Sequence, residues 1–144
     1  MILNSEQETV AFAKEVAEKI GPQEKAVVIG LEGNLGAGKT TFSKGLLQSL
    51  GVNEPIISPT FLLIKEYQLD QEKAKGFKKA YHIDTYRLED TGELNALQLQ
   101  EILKEKDALV LVEWAERAKD LLPEDAIWVK IEHKGEARNF EIKY

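Results

Sequence analysis

Gly33, Gly38, Lys39 and Thr40 satisfy the spacing G-x-x-x-x-G-K-[ST] inside LEGNLGAGKTT, residues 31–41. Glycines permit backbone turns that aim successive N–H groups at a phosphate, and a helix that follows adds the positive end of its dipole. A lysine at this spacing reaches the outer phosphates, and the threonine hydroxyl gives one oxygen to Mg²⁺. Gly33, Asn34, Leu35, Gly36, Ala37, Gly38, Lys39, Thr40 and Thr41 are therefore the expected nucleotide-binding loop, with Thr41 read first as a helix residue near the α-phosphate. The dinucleotide pattern G-x-G-x-x-G does not occur here in the required order.

A magnesium triphosphate also calls for hard oxygen ligands, so acidic residues at strand ends on the phosphate side matter most. Asp84 lies near the end of a strand in YHIDTYR, and Glu113 closes the apolar run LVLV. Glu113 stands where P-loop enzymes place the carboxylate that holds a magnesium-bound water or polarises the attacking one. Thr60, in SPTF, sits in a loop after the helix that follows the phosphate loop, where its hydroxyl can join Mg²⁺ only while a γ-phosphate is present. The expected metal set is Thr40, Thr60, Asp84 and Glu113, and the expected catalytic set is Lys39, Asp84 and Glu113. The bland alternatives are a turn residue for Thr60 and a cap after Ile83 for Asp84. His82 shares a strand face with Asp84; it either orients a group near the site or touches the edge of the core. Trp114 and Arg117 in EWAER stand beside Glu113, and Tyr86 and Arg87 follow Asp84 as loop-positioning or partner-contact residues.

No Asn-Lys-x-Asp guanine-reading sequence is present, and Asp84 is not followed by the Asp-x-x-Gly switch pattern. Adenine is the expected base. A small-molecule kinase shares the loop but also needs an acceptor pocket and commonly a basic lid, and no arginine-rich stretch follows Glu113. A nucleotide-dependent interaction module without essential hydrolysis is a third reading.

The elements that must position these residues follow from periodicity. Ser5 and Glu8 fit a capping box, and Phe12 or Ala13, Val16 and Ile20 recur at helical spacing, predicting a helix over 6–20 stopped by Gly21 and Pro22. AVVIGLE, 26–32, reads as a strand buried on both faces. Phe42, Leu46, Leu47 and Leu50 mark a helix from Lys39, ended by Gly51. FLLIKEYQL and AYHIDTYRL form two strands joined by DQEKAKGFKK. Residues 93–104 carry Leu94, Leu97 and Ile102 in a looser helical pattern, with Asp90 or Thr91 as caps. Ala108–Val112 returns to a buried strand, and IWVKIEH and ARNFEIKY make a closing antiparallel hairpin. The fold class is α/β: a P-loop NTPase fold with a mostly parallel or mixed central sheet, flanking helices and antiparallel hairpin additions, expected to be a single domain over 1–144.

Composition narrows the function classes. With 25 Asp and Glu against 19 Lys and Arg, the formal net charge is −6, so the molecule repels a nucleic acid backbone unless a local basic patch intervenes. Lys73, Lys75, Lys78 and Lys79 are the nearest to such a patch and read chiefly as a solvated connection, with only Phe77 as an aromatic among them. No apolar run is long enough for a membrane span, the first residues lack the pattern of a secretory signal, and the absence of cysteine fits a reducing cytosol.

GNLGAGKTT, SPTF, YHIDTYR and VEWAER, in that order along essentially the whole chain, resemble the TsaE (YjeE) family of small bacterial P-loop ATPases in tRNA threonylcarbamoyladenosine biosynthesis. The three later motifs together are much more specific than the phosphate loop alone. The resemblance implies a cytoplasmic protein that binds ATP and Mg²⁺ through Lys39 and Thr40. In it, Thr60, Asp84 and Glu113 match the family's switch threonine, the acid of its H-x-D motif and the acid before its tryptophan. It further implies that the chain does not itself transfer the threonylcarbamoyl group. Its partners would be the threonylcarbamoyl-transferase subunit and that subunit's dimerising partner, proteins of the TsaD and TsaB type. Its ATPase cycle would reset that pair during t6A37 synthesis, with tRNA met mainly through the complex.

Overall fold

The computed structural model describes residues 1–34, 36–57, 64–85 and 93–144, the side chains of 93–96 excepted. In chain order the elements are β1 (Ile2–Leu3), α1 (Glu6–Lys19), β2 (Val27–Gly33), α2 (Lys39–Ser49), β3 (Ile64–Gln68) and β4 (Lys79–Asp84). These are followed by α3 (Glu93–Leu103), β5 (Ala108–Glu113), a 3₁₀ stretch (Ala115–Leu121), β6 (Ile127–Lys134) and β7 (Ala137–Lys143).

The strands form one sheet in the order β1-β7-β6-β2-β5-β4-β3. β6, β2, β5 and β4 run parallel at its centre; β3 pairs antiparallel with β4 on one side, and on the other β7 pairs antiparallel with β6 and β1 antiparallel with β7. VVIGLEG and ALVLVE are apolar on both faces because helices cover both sides of the parallel centre. The two expected hairpins, β3–β4 and β6–β7, are present.

Register decides which side chains meet. Leu31, Glu113 and Asp84 lie side by side across β2, β5 and β4, and Ile29, Leu111 and His82 form the row before them. Both rows face α1 and α2, whose Phe12, Phe42, Leu46 and Leu47 share a buried cluster with Ile29, Leu31 and Leu111. Phe12, Phe42 and Phe140 knit the helices to β7 with ring centroids 5.5–6.2 Å apart. On the opposite face, Val28, Val110, Val112 and Ile83 pack against Leu99 and Ile102 of α3 and Ala115 of the 3₁₀ stretch.

Local chemistry accounts for the helix ends, with small departures from the sequence reading. Ser5 Oγ accepts from Glu8 N at 3.1 Å, but the Glu8 carboxylate accepts from Asn4 N at 2.6 Å, one residue before the N–H a capping box would use. α1 stops at Lys19 because Ile20 is already extended, with φ −112° and ψ 154°. After α2, Gly51 N donates to Gln48 O and Val52 N to Leu47 O, the paired bonds of a Schellman stop, with Gly51 at φ +95°.

α3 needs a correction. Leu97, expected on its buried face, is 59% exposed, and Leu99 takes the core position beside Ile102. The proposed caps Asp90 and Thr91 lie outside the described residues. The lysine-rich connection gives no aromatic platform, since Phe77 is fully buried, and Lys79 pairs with Glu66 and Glu105. Among the described residues no helix is long and apolar enough to cross a membrane.

Candidate functional site

β2, β4 and β5 end at the same edge of the sheet, and their last residues are Gly33, Asp84 and Glu113. In open parallel sheets this carboxyl edge is where ligands bind. The chain leaves β2 through Asn34, closes a turn by Ala37 N donating to Asn34 O at 3.0 Å, and enters α2 at Gly38. Gly36 and Gly38 have φ of +76° and +110°, a region costly for side-chain-bearing residues. The turn delivers the first N–H groups of α2, which have no intrahelical partner, to the loop's concave side. Leu35 lies outside the described residues.

Lys39 is 95% buried by residue surface, at 5% exposure, and its Nζ donates to Gly33 O at 2.6 Å and Asn34 O at 2.9 Å. The same ammonium sits 4.2 Å from the centre of the Trp114 ring. Burial pushes its pKa down, while Glu113, Glu116 and Asp84 pull it back up. A phosphate would supply the negative charge that the loop carbonyls only partly replace.

Thr40 Oγ1 donates to Glu113 Oε1 at 3.4 Å. The other carboxylate oxygen, Oε2, accepts from His82 Nε2. Glu113 and Asp84 are each 5% exposed and are neighbours in register, so two carboxylates stand abreast beside the start of α2. Thr41 turns the other way, into a cleft of about 270 Å³ that it shares with Asn4, Ser5, Gly36 and Arg138. Arg138 ties β7 to the loop, its Nη2 donating to Gly36 O at 3.4 Å.

Among the described residues no three His, Cys, Asp or Glu side chains gather into a metal cage. Mg²⁺ held with a triphosphate takes only one or two protein oxygens and fills its shell from phosphate and water. The Thr40 hydroxyl and the Glu113 carboxylate, within reach of one another beside Asp84, are hard oxygen donors of that kind. Thr60, the fourth expected ligand, lies outside the described residues, as do Tyr86 and Arg87.

Sequence reasoning missed two residues. Thr85 Oγ1 donates to Glu113 O at 3.0 Å and Trp114 O at 2.6 Å, and Thr85 N donates to Glu113 O at 3.2 Å. These bonds clamp a turn in which Trp114 has φ +59°, a left-handed conformation worth about 1–3 kcal/mol of strain in a residue with a side chain. The strained turn carries the indole to Lys39, and Arg117 lies 5.5 Å from the same ring. Glu116 is the second: its carboxyl is raised by burial first and by Glu32 next, with Lys39 opposing. The only signal for either was adjacency to Asp84 or Trp114.

A mixed sheet whose central parallel strand runs through a glycine loop into a helix, with carboxylates ending two neighbouring parallel strands, defines a P-loop NTPase fold. The Bacillus subtilis YdiB crystal structure is similar to it, with TM-score 0.76 and 33% identity over 97% of this chain and 80% of that one. A family model described as threonylcarbamoyl adenosine biosynthesis protein TsaE matches residues 3–140, and the chain belongs to the TsaE family of tRNA threonylcarbamoyladenosine biosynthesis. It is 40% identical over 119 residues to the Haemophilus influenzae tRNA threonylcarbamoyladenosine biosynthesis protein TsaE, covering 83% of this chain and 71% of the relative. The Aquifex aeolicus protein of the same name is 42% identical over 121 residues, 83% of this chain and 78% of the relative.

Proposed function

We propose that this chain binds ATP with Mg²⁺, hydrolyses it slowly, and uses the cycle to support turnover of the threonylcarbamoyl-transferase complex in the cytoplasm. One observation carries the reading: Lys39, Thr40, Asp84 and Glu113 converge where the phosphate loop meets the carboxyl ends of two parallel strands. Lys39 exchanges its loop carbonyls for the outer phosphates, and the N–H groups of α2 take the remaining charge. Thr40 and Glu113 would hold Mg²⁺, which would supply positive charge opposite the phosphate oxygens. Glu113 orients the attacking water, and Asp84 beside it fixes the second edge of the carboxylate pair. The nucleoside extends past Thr41 into the cleft beside Arg138, on the side of the loop away from Glu113.

The partners in this reading are proteins of the TsaD and TsaB type. The family membership and the acidic surface favour a role beside the enzyme rather than on its tRNA, since a net charge of −6 gives a polyanion little to bind. Thr60 is the residue that would report nucleotide state to those partners. Hydrolysis of ATP and of GTP, each measured alone and with the purified transferase pair, tests the proposal. It expects preference for ATP and a rate that changes when the pair is added; strong preference for GTP, or phosphate transfer to a metabolite, would overturn it.

A further inference from the structure

His82 is fully buried in a row that runs from Ile29 and Leu111 on one side to Lys65 of β3 on the other. Its Nε2 meets Glu113 Oε2. A carboxylate oxygen accepts, so Nε2 is the ring nitrogen that bonds Glu113, and Nδ1 is the one turned away from it. That Nδ1 is buried and has no hydrogen-bond partner among the described residues. Half of this imidazole is thus out of water without compensation, which disfavours it as a packing residue. What the ring does accomplish is to grip one edge of the carboxylate that ends the next strand.

We propose that His82 is a positioning residue for Glu113, holding the carboxylate by Oε2 so that Oε1 faces Thr40 and the phosphate loop. The inference rests on the ATPase reading for its consequence in catalysis, but the hold itself exists without nucleotide. Among the described residues Glu113 has two side-chain hydrogen-bond partners of different kinds. The Thr40 hydroxyl lies on the open side, 3.4 Å from Oε1, and has a second claim on it when a nucleotide is bound. His82 lies behind the carboxylate, fixed in the sheet, and has no competing ligand. It is the permanent anchor, and Thr40 is the exchangeable one. A carboxylate that must aim at a water loses rate when its plane swings, while nucleotide affinity, set by the loop and Lys39, stays.

The test uses His82→Leu, which fills the space without a donor, and His82→Gln, whose amide nitrogen sits near the place of Nε2. In nucleotide-free wild type, nitrogen-resolved proton NMR should show a slowly exchanging His82 Nε2 proton that moves or disappears in Glu113→Ala. A ring with no proton on Nε2, or an Nε2 proton indifferent to Glu113→Ala, overturns the hold. In single-turnover hydrolysis, His82→Leu should be at least about tenfold slower with ATP affinity within about threefold, and His82→Gln should recover to within about threefold of wild type. A His82→Leu rate within about twofold of wild type, or a folded His82→Gln as slow as His82→Leu, overturns the role in catalysis. If His82→Leu does not fold, His82→Asn replaces it: its amide matches Nδ1, so it should stay slow while His82→Gln is fast, and equal rates overturn the proposal. A wild type that binds ATP without hydrolysing it sinks the ATPase reading instead, and the NMR arm then decides the hold.

Discussion

The hydroxyl of Thr40 donates to Glu113 Oε1 at 3.4 Å, joining the first turn of α2 to the end of β5 across 73 sequence positions. The bond places a hard oxygen from the phosphate loop against the carboxylate of a neighbouring strand. If that pair receives magnesium with a nucleotide, Thr40→Val, which keeps shape and removes the hydroxyl, should weaken ATP binding by about tenfold in Mg²⁺. In a chelator the variant and wild type should bind alike. Calorimetric titrations under both conditions make the comparison, and an equal loss in both would place Thr40 outside the metal shell.

Gly51 ends α2 at φ +95°, and a Cβ there would meet Asp70 O at 2.8 Å. Gly51→Ala therefore combines a left-handed backbone with a backbone clash, and should lose about 1–3 kcal/mol in urea unfolding. The position is remote from the carboxylates, so ATP affinity of the folded variant should match wild type.

The fold was legible wherever a signal is local. The glycine spacing, the apolar runs of β2 and β5 and the hairpin of β6 and β7 are each written in a few consecutive residues. β1 was not, because two residues carry no periodicity and Ile2–Leu3 is a strand only through β7. Ala115–Leu121 follows neither the helical nor the strand period. In α3, leucines at 94, 97, 99 and 103 fit more than one stripe, and tertiary packing chose Leu99 over Leu97.

In the site, Lys39, Thr40, Asp84 and Glu113 could be picked out singly from their neighbours in sequence. That Glu113 is gripped by His82 and by Thr40 at once depends on strand register and on the α2 approach, neither of which any short stretch encodes. Thr85 was invisible for the same reason: a threonine after an aspartate says nothing until β5 is laid beside β4.

Tyr81 gives the molecule an alkaline signature. Its hydroxyl donates to the Glu105 carboxylate at 2.8 Å, and burial, followed by that bond, pushes its pKa up to about 12 from 10.0. Because the folded pKa lies above the unfolded one, the phenol stays protonated in the fold while the unfolded chain ionises. Its stabilising contribution is whole below pH 10.0 and is lost as pH rises toward about 12. The urea midpoint of wild type should fall more steeply across that window than the midpoint of Tyr81→Phe; parallel curves would show that the phenol titrates equally in both states.

In the proposed cycle the carboxylate at the end of β5 drives hydrolysis of a nucleotide held by the loop before α2. Single-turnover hydrolysis of Mg·ATP by wild type and Glu113→Gln, with ATP affinity measured on the same samples, decides it. Affinity should stay within about threefold, and the rate should be lower by about a hundredfold or more in the variant. Equal rates in the two proteins, or a wild type that binds no ATP, would contradict it.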